Sequence, residues 1–181
     1  LALSGDGKTL AVTSKSSGLL YIYSRESGSW CKTKVFTTPV SLADFGKTVC
    51  ITEDGGTIAV SCSKKDTDAN GNLVNMPKVA IFKKQNNVWS FTETVGPTEE
   101  CLYIDEVLFT LSPTGKSLAF CYPVVTNYGE TIQKLVIYSK TGNTYKLCSF
   151  LNVELITSMA IADGSVTCLN FSHNGEMLAI G

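Results

Sequence analysis

The sequence repeats one short phrase four times, and this repetition constrains the fold more than any other feature. The four copies read LALSGDGKTLAV (1–12), CITEDGGTIAV (50–60), LSPTGKSLAF (111–120) and NFSHNGEMLAI (170–180). Each copy is a short alternating apolar segment, a polar turn and a second apolar segment centred on an alanine. The turn glycines are Gly7, Gly55, Gly115 and Gly175. Alternation with a period of two predicts β-strands, and glycine after a turn-forming residue predicts a tight connection. The phrase therefore predicts four β-hairpins.

A second phrase follows each of the first three hairpins. It reads GLLYIYSRESGSW (18–30), KVAIFKKQNNVW (78–89) and KLVIYSKTGNTY (134–145). Two of its aromatic residues keep a constant separation in all three copies: Tyr23 and Trp30, Phe82 and Trp89, Tyr138 and Tyr145. A further alternating run follows each copy, so every unit reads as four antiparallel strands. Units of this kind in series predict an all-β fold, a β-propeller of four-stranded antiparallel blades that is incomplete in this chain.

The predicted organisation is one partial propeller over residues 1–181. Its blades are predicted at residues 1–38, 47–96 and 105–152, with a partial blade at 163–181. An isolated four-stranded sheet exposes both faces to water, so stacked blades are the arrangement that buries them. An unrelated all-β sandwich is the alternative. It is disfavoured because both phrases recur in one order with a fixed internal spacing.

Composition excludes two classes of partner. Among 181 residues, 44% are apolar and 17% are charged, and the formal net charge is −1. The 15 Lys and Arg residues are scattered, which speaks against the concentrated basic face of a nucleic-acid binder. No apolar run approaches the ~20 residues that span a bilayer, so membrane insertion is not predicted.

The seven cysteines show no CxxC spacing, and most lie in apolar, strand-like runs such as TVCIT and SLAFCY. This pattern predicts buried, reduced thiols rather than a disulfide framework. It favours an intracellular, cytoplasmic address. Because the chain opens at Leu1 without a methionine, flanking sequence could change that prediction.

A candidate calcium loop lies between the second and third strands of the second unit. Asp66, Asp68 and Asn70 precede Gly71 in the pattern D-x-D-x-N-G, which opens an oxygen-rich calcium loop. The ligand that would complete such a loop is missing, because Val74 and Pro77 stand at the positions that would supply it. A solvated loop tip is the favoured alternative, and no other cofactor is predicted.

His173, the only histidine, lies in the turn of the fourth repeat, where the other repeats have Gly5, Glu53 and Pro113. No cysteine or second histidine is close to it in sequence, so a surface turn residue is predicted rather than a metal ligand. The sequence contains no GxSxG, Walker or HExxH motif. It therefore predicts no catalytic residue and no enzymatic activity.

LALSGDGKTLAV followed by GLLYIYSRESGSW resembles the FG-GAP-like propeller repeats, and LNFSHNGEMLAIG resembles the strand pair of a WD repeat. Both resemblances imply platforms for recognition. The function expected from them is a non-catalytic protein-interaction platform, a scaffold or adaptor subunit that binds other proteins in a larger assembly. A calcium-stabilised FG-GAP-like adhesion or particle-surface module is the alternative. A propeller enzyme with its active groups on further blades also stays open. No partner-binding residue is predicted.

Overall fold

The structure is a computed structural model that describes residues 1–67, 71, 73–97, 107–125, 131–152 and 166–181. Within these ranges every regular element is a strand. The strands are β1 (Ala2–Leu3), β2 (Thr9–Ser14), β3 (Leu19–Glu26), β4 (Ser29–Thr37), β5 (Leu42–Ala43), β6 (Val49–Ile51), β7 (Thr57–Thr67), β8 (Leu73–Gln85), β9 (Val88–Val95), β10 (Leu108–Leu111), β11 (Ser117–Val125), β12 (Thr131–Thr141), β13 (Thr144–Asn152), β14 (Leu169–Phe171) and β15 (Leu178–Ile180).

The strands form four antiparallel sheets that follow the sequence repeats. Sheet 1 has the order β1-β2-β3-β4, sheet 3 has the order β10-β11-β12-β13, and sheet 4 is the pair β14-β15. In sheet 2, β5 and β6 both pair with β7, which is followed by β8 and β9. The all-β prediction is confirmed. The finer prediction of a propeller is not confirmed, because no closed ring of sheets is seen in the described part of the chain.

The hairpin phrase folds as it does because its hydroxyl and carboxylate side chains bond the turn backbone. In the first copy, Ser4 Oγ accepts a hydrogen bond from the Thr9 N–H at 2.9 Å, and Asp6 Oδ1 accepts one from the Lys8 N–H at 2.9 Å. The Ser4 hydroxyl also donates to Asp6 Oδ1. Thr52 with Asp54 and Ser172 with Asn174 repeat this network in the second and fourth copies.

A β-bulge recurs at the same place in three sheets. The register shifts between Ile22 and Tyr23 in sheet 1, between Ile81 and Phe82 in sheet 2, and between Ile137 and Tyr138 in sheet 3. In each case the extra residue lies on the last strand of the sheet, which is the fourth strand of the repeated unit (β4, β9 or β13). These residues are Thr33, Thr92 and Cys148. The bulge comes just before Tyr23, Phe82 or Tyr138, the first aromatic residue of each equally spaced pair. The aromatic pattern and the bend of the sheet therefore occur together.

Apolar side chains fill the spaces between consecutive sheets. One cluster joins sheets 1 and 2 and includes Leu20, Ile22 and Phe82. A second joins sheets 2 and 3, and a third joins sheets 3 and 4 through Leu135 and Leu169. Each interior sheet therefore buries both faces, which is what gives these alternating strands a stable fold.

None of the described segments forms a helix long and apolar enough to cross a bilayer.

Candidate functional site on the turn face

The hairpin turns of the four sheets gather at one edge of the molecule. The Asp6 N–H donates to the Glu53 carbonyl at 3.1 Å, and the Glu53 N–H donates to the Pro113 carbonyl at 2.9 Å. A Cβ built on Gly175 would lie 3.3 Å from Ser112 Cβ, so the fourth turn packs on the third. We call this surface the turn face and define it by residues 4–9, 52–57, 112–117 and 172–177.

The centre of the turn face is a concavity of about 350 Å³ lined by residues of the first three turns. Glu53 lies there against Gly5, where an added Cβ would come within 2.5 Å of Glu53 Cγ. On its other side, Glu53 Oε1 lies 3.7 Å from His173 Nε2. This separation is within ion-pair range and slightly longer than a hydrogen bond. Three equivalent turn positions thus bring a carboxylate, an imidazole and a small neighbour together.

A larger cleft of about 510 Å³ opens beside this concavity, between sheets 1 and 2. Asp6 and Asp54 line both spaces, so the two adjoin. Three cationic side chains also line the cleft: Lys8, Arg25 and Lys84.

Asp6 is held in its ionised form. The hydrogen bond from the Ser4 hydroxyl, followed by that from the Lys8 N–H, lowers the pKa of Asp6, and the charges of Lys8 and Lys84 add to the effect. A carboxylate stabilised in this way is a poor proton acceptor near neutral pH. Asp6 therefore orders the turn and supplies negative charge, and it does not serve as a proton acceptor.

A second, much smaller space lies at the opposite edge, between sheets 2 and 3. It is lined by Asp44, Cys62 and Lys78, among others, and its volume of about 10 Å³ holds at most one water. Burial lowers the pKa of Lys78, whose Nζ donates to the Gly96 carbonyl at 3.0 Å and to the Pro97 carbonyl. These contacts and the small volume make it a structural feature rather than a substrate site.

The structure describes only some residues of the predicted calcium loop. Asp66 lies near the end of β7, where it accepts a hydrogen bond from the Thr67 N–H at 2.9 Å and pairs with Lys64 at 3.5 Å. Asp68 and Asn70 lie outside the described residues. Among the described residues no group of three or more His, Cys, Asp or Glu side chains could hold a metal. The calcium site stays a prediction.

The thiols divide into two groups, and all six in the described part of the chain are free. Burial raises the pKa of Cys62 to about 12 and those of Cys50 and Cys121 to about 11, which leaves them unreactive. The other three, Cys31, Cys148 and Cys168, are exposed, although apolar runs had suggested that most would be buried.

Sequence reasoning placed His173 correctly in a turn but missed its partner. Only partners close to His173 in sequence had been considered, whereas Glu53 lies in a different sheet. The available signal was the repeat itself: Glu53 and His173 stand at the same turn position, and equivalent turns of stacked sheets lie side by side.

No protein-family model matches the sequence, and no curated protein matches it. Among solved structures, a putative 6-phosphogluconolactonase from Bacteroides uniformis ATCC 8492 matches 98% of this chain at 14% identity with a TM-score of 0.57. The chain spans 45% of that structure, less than half of its length. A putative 6-phosphogluconolactonase from Bacteroides fragilis NCTC 9343 covers 97% of this chain and is covered to 60%, at 14% identity and a TM-score of 0.40. The first match shows a shared fold.

These matches correct four expectations. The resemblance to FG-GAP and WD repeats is wrong as a classification, because the structure whose fold the chain shares carries a different name, that of a putative 6-phosphogluconolactonase. The resemblance misleads for a physical reason. Hydroxyl and carboxylate hydrogen bonds to the backbone stabilise tight turns in general, so the hairpin phrase does not identify one family. The descriptions of the chain as WD-repeat-like and FG-GAP-like are wrong with it.

The predictions of a non-catalytic scaffold and of no enzymatic activity are also wrong, since the fold matches that of a protein named for a lactonase activity. The adhesion-module alternative gains no support from these matches. The scaffold prediction failed because it relied on motifs that are contiguous in sequence. In a stacked-sheet fold, side chains far apart in the chain meet at sheet edges, as Glu53 and His173 do.

Proposed function

We propose that this chain carries part of the active site of a hydrolase that opens a sugar lactone. The observation that carries the proposal is the 3.7 Å separation of His173 Nε2 and Glu53 Oε1 beside a concavity of about 350 Å³. A carboxylate next to an imidazole orients the ring, which is the arrangement of a general base. The likeness to the Bacteroides uniformis protein supports the substrate class.

In the proposed reaction, a water molecule in the concavity attacks the lactone carbonyl carbon. Its proton passes to Nδ1 of His173, while Nε2–H faces the Glu53 carboxylate. The tetrahedral intermediate then collapses, the ring C–O bond breaks, and the departing oxygen takes the proton back from His173. One water is consumed and an open-chain hydroxy acid is released, so the histidine ends as it began.

Gly5 and Asp6 have supporting roles in this proposal. The missing side chain at Gly5 lets Glu53 lie close to the first turn, since a Cβ there would come within 2.5 Å of Glu53 Cγ. Asp6 does not compete as a base, because the hydrogen bond from Ser4 lowers its pKa. In this proposal the adjoining cleft of about 510 Å³ provides room for the remainder of the sugar.

The test is hydrolysis of 6-phosphogluconolactone by the full-length protein, followed as base uptake at constant pH, with the spontaneous rate subtracted. His173→Gln should lower kcat by about 10²–10⁴-fold, the usual contribution of a general base. Asn174→Asp is the matched control, because Asp6 and Asp54 occupy the same turn position in other repeats. Wild-type hydrolysis no faster than buffer, or an unimpaired His173→Gln, would contradict the proposal.

For the fold as a whole we propose the blade arrangement of a β-propeller of a kind other than the FG-GAP and WD propellers. The blades are those given above at 1–38, 47–96, 105–152 and 163–181. Clusters that fill the spaces between consecutive sheets support this proposal. The free thiols support the further proposal of an intracellular, cytoplasmic address. Protein partners, and the absence of a nucleic-acid partner, stay predictions.

A further inference from the structure

Each of the stacked sheets has two different faces. One face is centred on an alanine, Ala11, Ala59 or Ala119, and packs on the sheet that follows in the chain. The opposite face carries larger side chains and packs on the sheet that comes before, as Phe82 and Trp89 of sheet 2 pack on sheet 1. We call these the alanine face and the large-residue face. The three apolar clusters between sheets each join one alanine face to one large-residue face.

The strand pairing and the repeat define the large-residue face of sheet 1. Residues that are directly opposed in an antiparallel pair lie on one face of a sheet. Leu10 is opposed to Leu3 and to Tyr23, and Val12 is opposed to Tyr21. Trp30 follows Tyr23 at the separation that is constant in all three copies of the second phrase. Six residues therefore form this face: Leu3, Leu10, Val12, Tyr21, Tyr23 and Trp30.

This face lacks a covering sheet in the described part of the chain, whereas the same positions in sheets 2 and 3 are covered. Trp30 is 41% exposed, but its counterparts Trp89 and Tyr145 are 5% and 8% exposed. Leu3 is 53% exposed, and its counterpart Leu111 in sheet 3 is 6% exposed. The other four residues of the face are partly exposed. Their counterparts are all buried: Ile58, Val60, Ala80 and Phe82 in sheet 2, and Leu118, Phe120, Val136 and Tyr138 in sheet 3.

The composition of this face is that of an interface. Contiguous exposed apolar patches on soluble proteins mark interaction sites, and tyrosine and tryptophan are enriched there. The kind of partner follows from the stack itself. Because these positions pack on an alanine face in both sheets 2 and 3, another alanine face is the surface that fits them.

We propose that the large-residue face of sheet 1 binds the alanine face of one further four-stranded sheet, which belongs to the same polypeptide chain in the full-length protein. The interface would continue the stack that sheets 1, 2 and 3 already form. The shared fold also has room for further sheets in one chain, because these residues span only 45% of the Bacteroides uniformis structure.

A second copy of the chain fits this face less well. In a second copy, the alanine face that the described sheets leave open is that of sheet 4, where Ala179 is exposed. The described strands of sheet 4 are β14 and β15 alone. Two strands are too narrow to cover the four strands of sheet 1, so Tyr23 and Trp30 would stay in contact with water.

The test is hydroxyl-radical labelling of the full-length protein, with the modified residues quantified by mass spectrometry. The labelling rate of each residue is divided by its rate in the urea-unfolded protein. Trp30 should be protected as strongly as Trp89, and Tyr21 and Tyr23 as strongly as Tyr138. These buried counterparts serve as internal references, since each is compared with the same type of residue or a close one.

Val12→Lys places a charge inside the proposed interface, where burial without a partner is costly. It should raise the labelling of Tyr21 and Trp30 severalfold and leave the number of subunits, measured by light scattering, unchanged. Leu147→Lys is the matched control and should not alter this labelling, because Lys32 already stands at the equivalent position of sheet 1. The wild-type measurement decides the matter even if Val12→Lys fails to fold.

A wild-type protein in which Trp30 is labelled severalfold faster than Trp89 overturns the proposal, as do equal effects of Val12→Lys and Leu147→Lys. Protection that accompanies dimerisation, with Val12→Lys giving a monomer, would assign the face to a second copy and overturn it too. None of these measurements involves lactone hydrolysis, so the interface and the proposed function are tested separately.

Discussion

At the scale of single residues, the repeated turn is ordered by one hydroxyl side chain. Thr52 is 2% exposed, and its Oγ1 accepts from the Thr57 N–H at 2.9 Å while donating to Asp54 Oδ1 at 2.6 Å. Serine does the same at positions 4 and 172. The hydroxyl satisfies a backbone donor that would otherwise be buried without a partner.

Thr52→Val keeps the shape of this side chain and removes its hydrogen bonds. It should lower the free energy of unfolding by about 1–3 kcal/mol, the cost of leaving a buried donor unpaired. Thr52→Ser keeps the hydroxyl and should cost about 1 kcal/mol or less for the lost methyl group. Urea denaturation followed by circular dichroism compares the two. Equal losses would show that the methyl group, and not the hydrogen bond, stabilises the turn.

The sequence predicted these turns from their glycines, but it did not predict what the turns bring together. A positive φ of 64° at Gly55 and of 66° at Gly115 is the backbone shape that glycine adopts without penalty, so the residue type announces the turn. The meeting of Glu53 with His173 depends on how sheets stack. Local propensity carries no information about that distance.

At the scale of elements, the bulge on the fourth strand is stabilised by a threonine in two of three sheets. The hydroxyl of Thr33 donates to the Ile22 carbonyl at 3.0 Å, and that of Thr92 donates to the Ile81 carbonyl at 3.0 Å. In sheet 3 the bulged residue is Cys148, opposite the Ile137–Tyr138 step. A thiol is a weak donor, so the third bulge lacks an equally strong bond.

Cys148→Thr should therefore stabilise the protein by about 0.5–1.5 kcal/mol, the net contribution of one intramolecular hydrogen bond. Cys31→Thr is the matched control: Cys31 is also an exposed cysteine on a fourth strand, but it lies outside the bulge. Thermal unfolding measures both. A stabilisation that is the same for the two variants would assign the effect to strand propensity, and a loss of stability at position 148 would contradict the bulge interpretation.

Strand positions were readable from alternation, whereas the bulges were not. A bulge adds one residue to one strand, so the alternating pattern simply changes phase, and an apolar run such as KLCSFL hides the change. Cys148 lies in this run, and it is exposed.

At the scale of the whole molecule, the side chain of Lys83 forms a largely buried ion pair within sheet 2 and also links sheet 2 to sheet 3. Lys83 Nζ lies 3.6 Å from Glu93 Oε1, with the two side chains 11% and 19% exposed. The same ammonium donates to the Asn143 carbonyl in the β12–β13 turn at 2.8 Å. Glu93 Oε1 is buried and has no hydrogen bond among the described residues. The positive charge of Lys83 therefore compensates the negative charge of this carboxylate.

Lys83→Met should destabilise the protein by about 3 kcal/mol, because it leaves the Glu93 carboxylate buried and unpaired. The double variant Lys83→Met/Glu93→Gln removes the charge as well and should recover most of that loss. Guanidinium denaturation of the single and double variants measures the difference. A double variant as unstable as the single one would show that Lys83 acts through its bond to Asn143 alone.

The stacking of sheets could be predicted only in outline. A four-stranded unit with two apolar faces requires neighbours, and the clusters between sheets meet that requirement. The repeats do not state which polar groups the stacking will bury or align. The bond from Lys83 to the Asn143 carbonyl and the His173–Glu53 pair both arise between sheets.

We propose that His173 and Glu53 act together on the turn face, and a double-variant cycle on kcat/KM for lactone hydrolysis measures whether they do. If Glu53 works only by orienting His173, then Glu53→Gln slows wild-type hydrolysis but has no further effect in His173→Gln. The double variant should therefore be as active as His173→Gln alone. Losses from Glu53→Gln and His173→Gln that multiply in the double variant would contradict it.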